Sequence, residues 1–88
     1  VLIESLSHPE SAIREHAIIA LGKIQDARVA PVLIEMLHDP ERINQKQAML
    51  ALGALRDQRA LPALQEIASN RADRELSALA KQLIENIK

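Results

Sequence analysis

Apolar residues recur along the chain at spacings of three and four, in runs separated by short polar breaks, which is the period of helices that bury one stripe. Val1, Leu2 and Leu6 carry this spacing as far as Ser7 and read as the last turns of a helix. Ile13, Ala17, Ala20, Leu21 and Ile24 form the next stripe and predict a helix from about Pro9 to Ile24. Val29, Val32, Leu33, Met36 and Leu37 predict a third. Ala48, Ala51, Leu52 and Leu55 repeat the second stripe in a helix ending near Leu55, where Asn44 takes the place of Ile13 and Ile43 is expected to supply the lost apolar contact. Ala60, Ala63, Leu64, Ile67 and Ala68, then Leu76, Ala80, Leu83, Ile84 and Ile87, complete the series.

The breaks repeat as well. Ala20-Leu21-Gly22 through Asp26 to Pro31 returns as Ala51-Leu52-Gly53 through Asp57 to Pro62, so one unit of helix, turn and helix recurs. His8-Pro9-Glu10 and Asp39-Pro40-Glu41 restart the chain, with proline expected at the first helical position and Asp39 as an N-cap. Asp26 is expected to cap the helix that follows it, and Pro31 and Pro62 to bend the entry of theirs. Gly22 and Gly53 each disfavour a helix interior by roughly 1 kcal/mol against Ala, which calls for close approach of a neighbouring helix or for early termination. In the third copy Ser69 to Asp73 has no proline and is one residue longer, Glu85 replaces the glycine, and Lys81-Gln82 replaces Ile18-Ile19 and Met49-Leu50. A polar outer face of this kind suits a capping repeat. The pattern predicts an all-α fold, a short right-handed α-solenoid of antiparallel helix pairs in one domain, residues 1–88, with units at about 1–25, 26–56 and 57–88 and the first of them partial. Val1 already lies inside a helical pattern, so a fragment of a longer array is expected.

Composition narrows the chemistry. Hydrophobic residues make up 48% of the chain with no Phe, Tyr or Trp, so the core is built from Ala, Leu, Ile, Val and Met, and small Ala faces let helix axes approach closely. With no cysteine, disulfides, thiolate metal sites and a cysteine nucleophile are excluded. No apolar run approaches membrane-spanning length. A formal net charge of -1 with mixed signs gives no footprint for nucleic acid, and stacking aromatics are absent. The expectation is a cytoplasmic protein that binds neither nucleic acid nor membrane.

Ile13-Arg14, Ala20-Leu21-Gly22, Asp26, Pro31, Leu33-Ile34-Glu35 and Leu37, followed by Asp39-Pro40, Ala51-Leu52-Gly53, Asp57, Pro62 and Leu64, resemble the HEAT-like repeats of the phycobilisome-lyase type. The resemblance covers essentially the whole chain. It implies a scaffold that holds another protein in a concave groove, with an accessory module or fragment of a chromophore lyase, or of another HEAT-like enzyme, as the alternative. It also includes di-iron hydroxylases with a His-Glu pair before the small-residue segment. Here Glu15-His16 stands in reversed order and Lys46-Gln47 fills both places in the next copy, so no metal site is implied.

Ser5, Ser7, Ser11, Ser69 and Ser77 read as turn or surface serines, and no nucleophile, base and orienting group recur at a usable spacing. The expectation is no enzyme, no cofactor and no metal. The sharper signal is apolar residues off the buried stripe. Ile19 points roughly 150° away from it at 100° per residue, Ile18 lies nearer its boundary, and Met49 and Leu50 repeat both. Ile18, Ile19, Met49 and Leu50, with Arg14, Gln45 and Lys81 around them, are the candidate partner-binding residues on the inner face of the second helices. Packing between units or self-association to a homo-oligomer are the other ways to bury them.

Overall fold

The computed structural model describes residues 9–87. The helix read at Val1 to Ser7 and the restart at His8 lie outside them. Among the described residues there are five α-helices and no strand: α1 (Ser11–Ile24), α2 (Ala30–Met36), α3 (Arg42–Leu55), α4 (Leu61–Ala68) and α5 (Arg74–Ile87). Two 3-10 turns, Ala27–Val29 and Gln58–Ala60, lead into α2 and α4.

The helix starts differ from the sequence expectation. Pro9 and Pro40 stand two residues ahead of α1 and α3, whose N-caps are Glu10 and Glu41 in extended backbone without a side-chain cap. Asp39 is not the cap of α3. Its carboxylate accepts from the Glu41 N–H at 2.8 Å and turns inward to Arg14 of α1, a charged partner that a solvent-facing cap would forgo. Asp26 and Asp57 hold the 3-10 turns: each accepts at 2.9 Å from the N–H two residues on, in Arg28 and Arg59, and pairs with the guanidinium of the same arginine. Pro31 and Pro62 fall in the first turn of α2 and α4, directly after the 3-10 turns, where a missing N–H costs the helix little.

The helices end one turn later than the glycines, at Gln25 and Arg56, both left-handed with φ of 54° and 53°. Gly22 and Gly53 keep helical φ and serve close approach instead. A Cβ on Gly22 would lie 2.8 Å from Ala51 Cβ, and one on Gly53 2.5 Å from Leu83 Cδ2. These contacts set α1, α3 and α5 side by side, with α3 in the middle, while α2 packs on α3 and α4 on α5. Ile18, Leu33, Met49, Leu52 and Leu64 are sealed between the layers. Burial of each is worth on the order of 2 kcal/mol, the main term holding a chain this small together.

In α5 every residue of the expected stripe is buried, from Leu76 to Ile87. In α1 the stripe is rotated: Ala17, Ile18 and Leu21 are buried, whereas Ile24 is 51% exposed.

Candidate functional site

The candidate partner-binding residues fall into four different places. Leu50 is 42% exposed on α3, and Ile19, its counterpart on α1, is half-buried. Ile18 and Met49 do not reach the surface at all; both are fully buried. A single helix wheel places them at the edge of the stripe, but α3 is covered by α2 and by α1 and α5 on its two sides. That widens its buried arc to take in Met49. Ile43 reverses in the same way. It is 51% exposed and does not replace the contact expected from Asn44; Asn44 is itself fully buried. Ile43 and Leu50 lie seven residues apart, about two turns, and so share one face of α3. The signal for Ile43 was its register with Ala12 and Glu75, both exposed.

Arg14 and Gln45 bind the fold itself. The Arg14 guanidinium donates to Asp39 Oδ2 at 2.8 Å and Oδ1 at 3.3 Å, and also to the Pro9 carbonyl at 3.0 Å. Gln45, at the corresponding place in α3, donates from Nε2 to the Asp39 carbonyl at 2.6 Å, and Ser77 in α5 donates from Oγ to the Ala68 carbonyl at 2.5 Å. One polar position in each long helix thus ties down the loop before it. Burial pushes the Asp39 carboxyl up, but the Arg14 guanidinium and the Glu41 N–H outweigh it and hold it below the ordinary value. The hydrogen bond to Asp39 raises Arg14 in turn. Asn44 Nδ2 donates to the Ser11 carbonyl at 3.2 Å and lies 3.4 Å from Asp39 Oδ1; its own Oδ1 meets no donor among the described residues.

Lys81 stands where α1 has Ile18 and α3 has Met49, yet it is exposed. It lines an open cleft of about 560 Å³ with Ser69, Asn70, Arg71, Arg74 and Ser77. A smaller cleft of about 370 Å³ lies between Leu37, His38 and Gln45 on one side and Glu66, Ile67 and Asn70 on the other.

Stacked pairs, a repeated Asp-turn-Pro entry and glycine contacts between successive long helices are the geometry of a helical repeat, and residues 1–85 match the HEAT repeats in sequence. The chain belongs to the HEAT repeat family. No curated protein matches it. HEAT repeats commonly mediate protein–protein interaction. In this HEAT array His16 is exposed on α1 beside half-buried Glu15, and His38 sits at the rim of the smaller cleft. Among the described residues no three His, Asp or Glu side chains converge, and no helix is long and apolar enough to cross a membrane.

Proposed function

We propose that this chain is a non-catalytic HEAT scaffold, in units at about 1–25, 26–56 and 57–88, that takes a protein partner on the exposed face of its long helices. The carrying observation is the pair Ile43 and Leu50, two large apolar side chains 51% and 42% exposed on one face of α3, with half-buried Ile19 at the place in α1 that corresponds to Leu50. Water-exposed Ile and Leu two turns apart offer a helix or extended segment an apolar ridge, each side chain worth up to about 2 kcal/mol on full burial. On α5 the corresponding places carry exposed Glu75 and Gln82, which bound the ridge with polar groups. Ile18, Met49, Arg14 and Gln45 take no part in this surface, since packing and loop tethering occupy them.

The test compares proteins captured from a lysate by the wild-type chain, by Ile43→Glu/Leu50→Glu and by Lys23→Glu, with light scattering on each. The expected result is specific capture lost only with the double variant while all three stay monomeric. Equal capture by all three overturns the proposal. A wild-type dimer that the double variant turns into a monomer also overturns it, in favour of self-association.

A further inference from the structure

The cleft beside α5 holds a concentration of charge that the rest of the molecule does not explain. Arg14, Arg28, Arg42 and Arg59 are each paired with a carboxylate of the chain. Arg71, Arg74 and Lys81 make no ion pair or side-chain hydrogen bond among the described residues, and all three are exposed on the walls of the one cleft of about 560 Å³. Asp73 and Glu75, which flank Arg74 in the chain, both accept from Arg42, at 2.6 and 2.5 Å. Of the remaining carboxylates nearby, Glu66 lines the neighbouring cleft and Glu85 lies one turn beyond Lys81 on α5. A neutral donor accompanies the cations. Asn70 accepts from the Ala72 N–H at 2.9 Å through Oδ1, which leaves its amide nitrogen to donate, whereas the Ser69 hydroxyl at the rim already donates to the Gln65 carbonyl at 3.0 Å.

In a chain whose formal net charge is -1, a concavity lined by three cations and no carboxylate forms a local anion site, not part of a basic surface. We infer that this cleft binds a short acidic segment of a protein partner, its carboxylates taken by Arg71, Arg74 and Lys81. Guanidinium groups suit carboxylates because their paired N–H donors match the two oxygens, and a lysine adds a mobile point charge. Nucleic acid fits less well: three cations track too few phosphates to hold a strand, and no aromatic side chain offers a base a stacking surface. The inference rests on the reading of the chain as a protein-binding scaffold and adds a second contact, with a different chemistry, to the apolar ridge.

The test is a titration of the 15N-labelled chain with hexaglutamate, followed by amide chemical shifts, beside hexaglutamine and a thymidine hexanucleotide. Hexaglutamate should shift amides of residues 69–81 to saturation, with affinity falling between about 50 and 200 mM salt, while hexaglutamine shifts none. Arg71→Gln/Arg74→Gln/Lys81→Gln should weaken this about tenfold, and Lys23→Gln/Lys46→Gln should not. Should the triple variant lose helicity, Arg71→Glu, in the loop between α4 and α5, replaces it. Shifts scattered over all Lys and Arg segments, equal weakening by the two control substitutions, or tighter binding of the hexanucleotide at the same amides each overturn the inference. Titrating Ile43→Glu/Leu50→Glu in parallel separates the two readings: hexaglutamate binding unchanged there leaves the cleft standing even where the apolar ridge proves inert.

Discussion

Gly22 and Gly53 occupy the same place in α1 and α3, yet they tolerate a side chain differently. The Cβ of an alanine at position 22 would meet Ala51 Cβ at 2.8 Å and Ala51 Cα at 3.5 Å, atoms that no rotamer change can move. At position 53 the obstacle is Leu83 Cδ2 at 2.5 Å, the far end of a rotatable side chain. Alanine gains about 1 kcal/mol of helix propensity at either site, and overpacking a rigid contact costs about 1–3 kcal/mol. Gly22→Ala is therefore expected to lower stability in urea unfolding by up to about 2 kcal/mol net, and Gly53→Ala to stay within about 1 kcal/mol of wild type. Ala51→Gly in the Gly22→Ala background should recover most of the loss, because it removes the atom in the way. Equal losses at positions 22 and 53 would show that the two contacts are equally rigid.

At the scale of elements, the two junctions between long helices are closed by different electrostatics. Between α1 and α3 the Arg14–Asp39 pair is almost dry, its side chains 12% and 1% exposed. Between α3 and α5, Arg42 reaches Asp73 and Glu75 in the open, the three side chains being 52%, 24% and 59% exposed. Removing one member of a buried pair strands the other, at about 3–5 kcal/mol, whereas an exposed pair is worth about 1 kcal/mol or less. Asp39→Ala should thus destabilise by about 3 kcal/mol or more and Arg42→Ala by under about 1 kcal/mol, read from urea midpoints at unchanged slope. Comparable losses would place burial second to geometry. The helices themselves were legible in the sequence, because period and the repeated Ala-Leu-Gly and Asp-turn-Pro signals are local; the stripe of α5 was read residue for residue. This dry junction was not, since Arg14 and Asp39 lie 25 positions apart and Asn44 and Ser11 lie 33 apart. Of the candidate site the sequence showed exposure only in part. Leu50 and Lys81 are exposed, but periodicity on one helix carries no information about lateral neighbours, so Ile18 and Met49, read near the edge of the stripe, are buried and Ile43, read as core, is exposed.

Over the whole molecule a depressed carboxylate sits at every connection between described helices, which makes acid a probe of the array as one object. Arg28 holds Asp26 down to about 2 through its guanidinium and then its backbone N–H, and Arg59 lowers Asp57 in the same way. Arg42 and then the Leu76 N–H hold Asp73 at about 2. At Asp39 burial works upward, but Arg14 and the Glu41 N–H prevail and the net direction is down. An unfolded aspartate titrates near about 3.9, so each of these groups binds protons more weakly in the folded chain. Their contribution is therefore complete above about pH 5 and drains away as pH falls through about 4 towards 2. Because each helix pair is stabilised by its neighbours, the loss at several connections is expected to appear as one transition moving to lower temperature, not as separate steps. Thermal unfolding followed by far-UV circular dichroism from pH 7 to pH 2.5 checks this: the midpoint should stay level to about pH 5 and drop steeply below about pH 4. Asp73→Asn should start lower at neutral pH and fall less steeply in acid, since one of the protonation events that drives the fall has been removed. A midpoint that holds down to pH 3, or an Asp73→Asn curve parallel to wild type, would mean that the connections hold through their backbone turns and that their charges contribute nothing measurable.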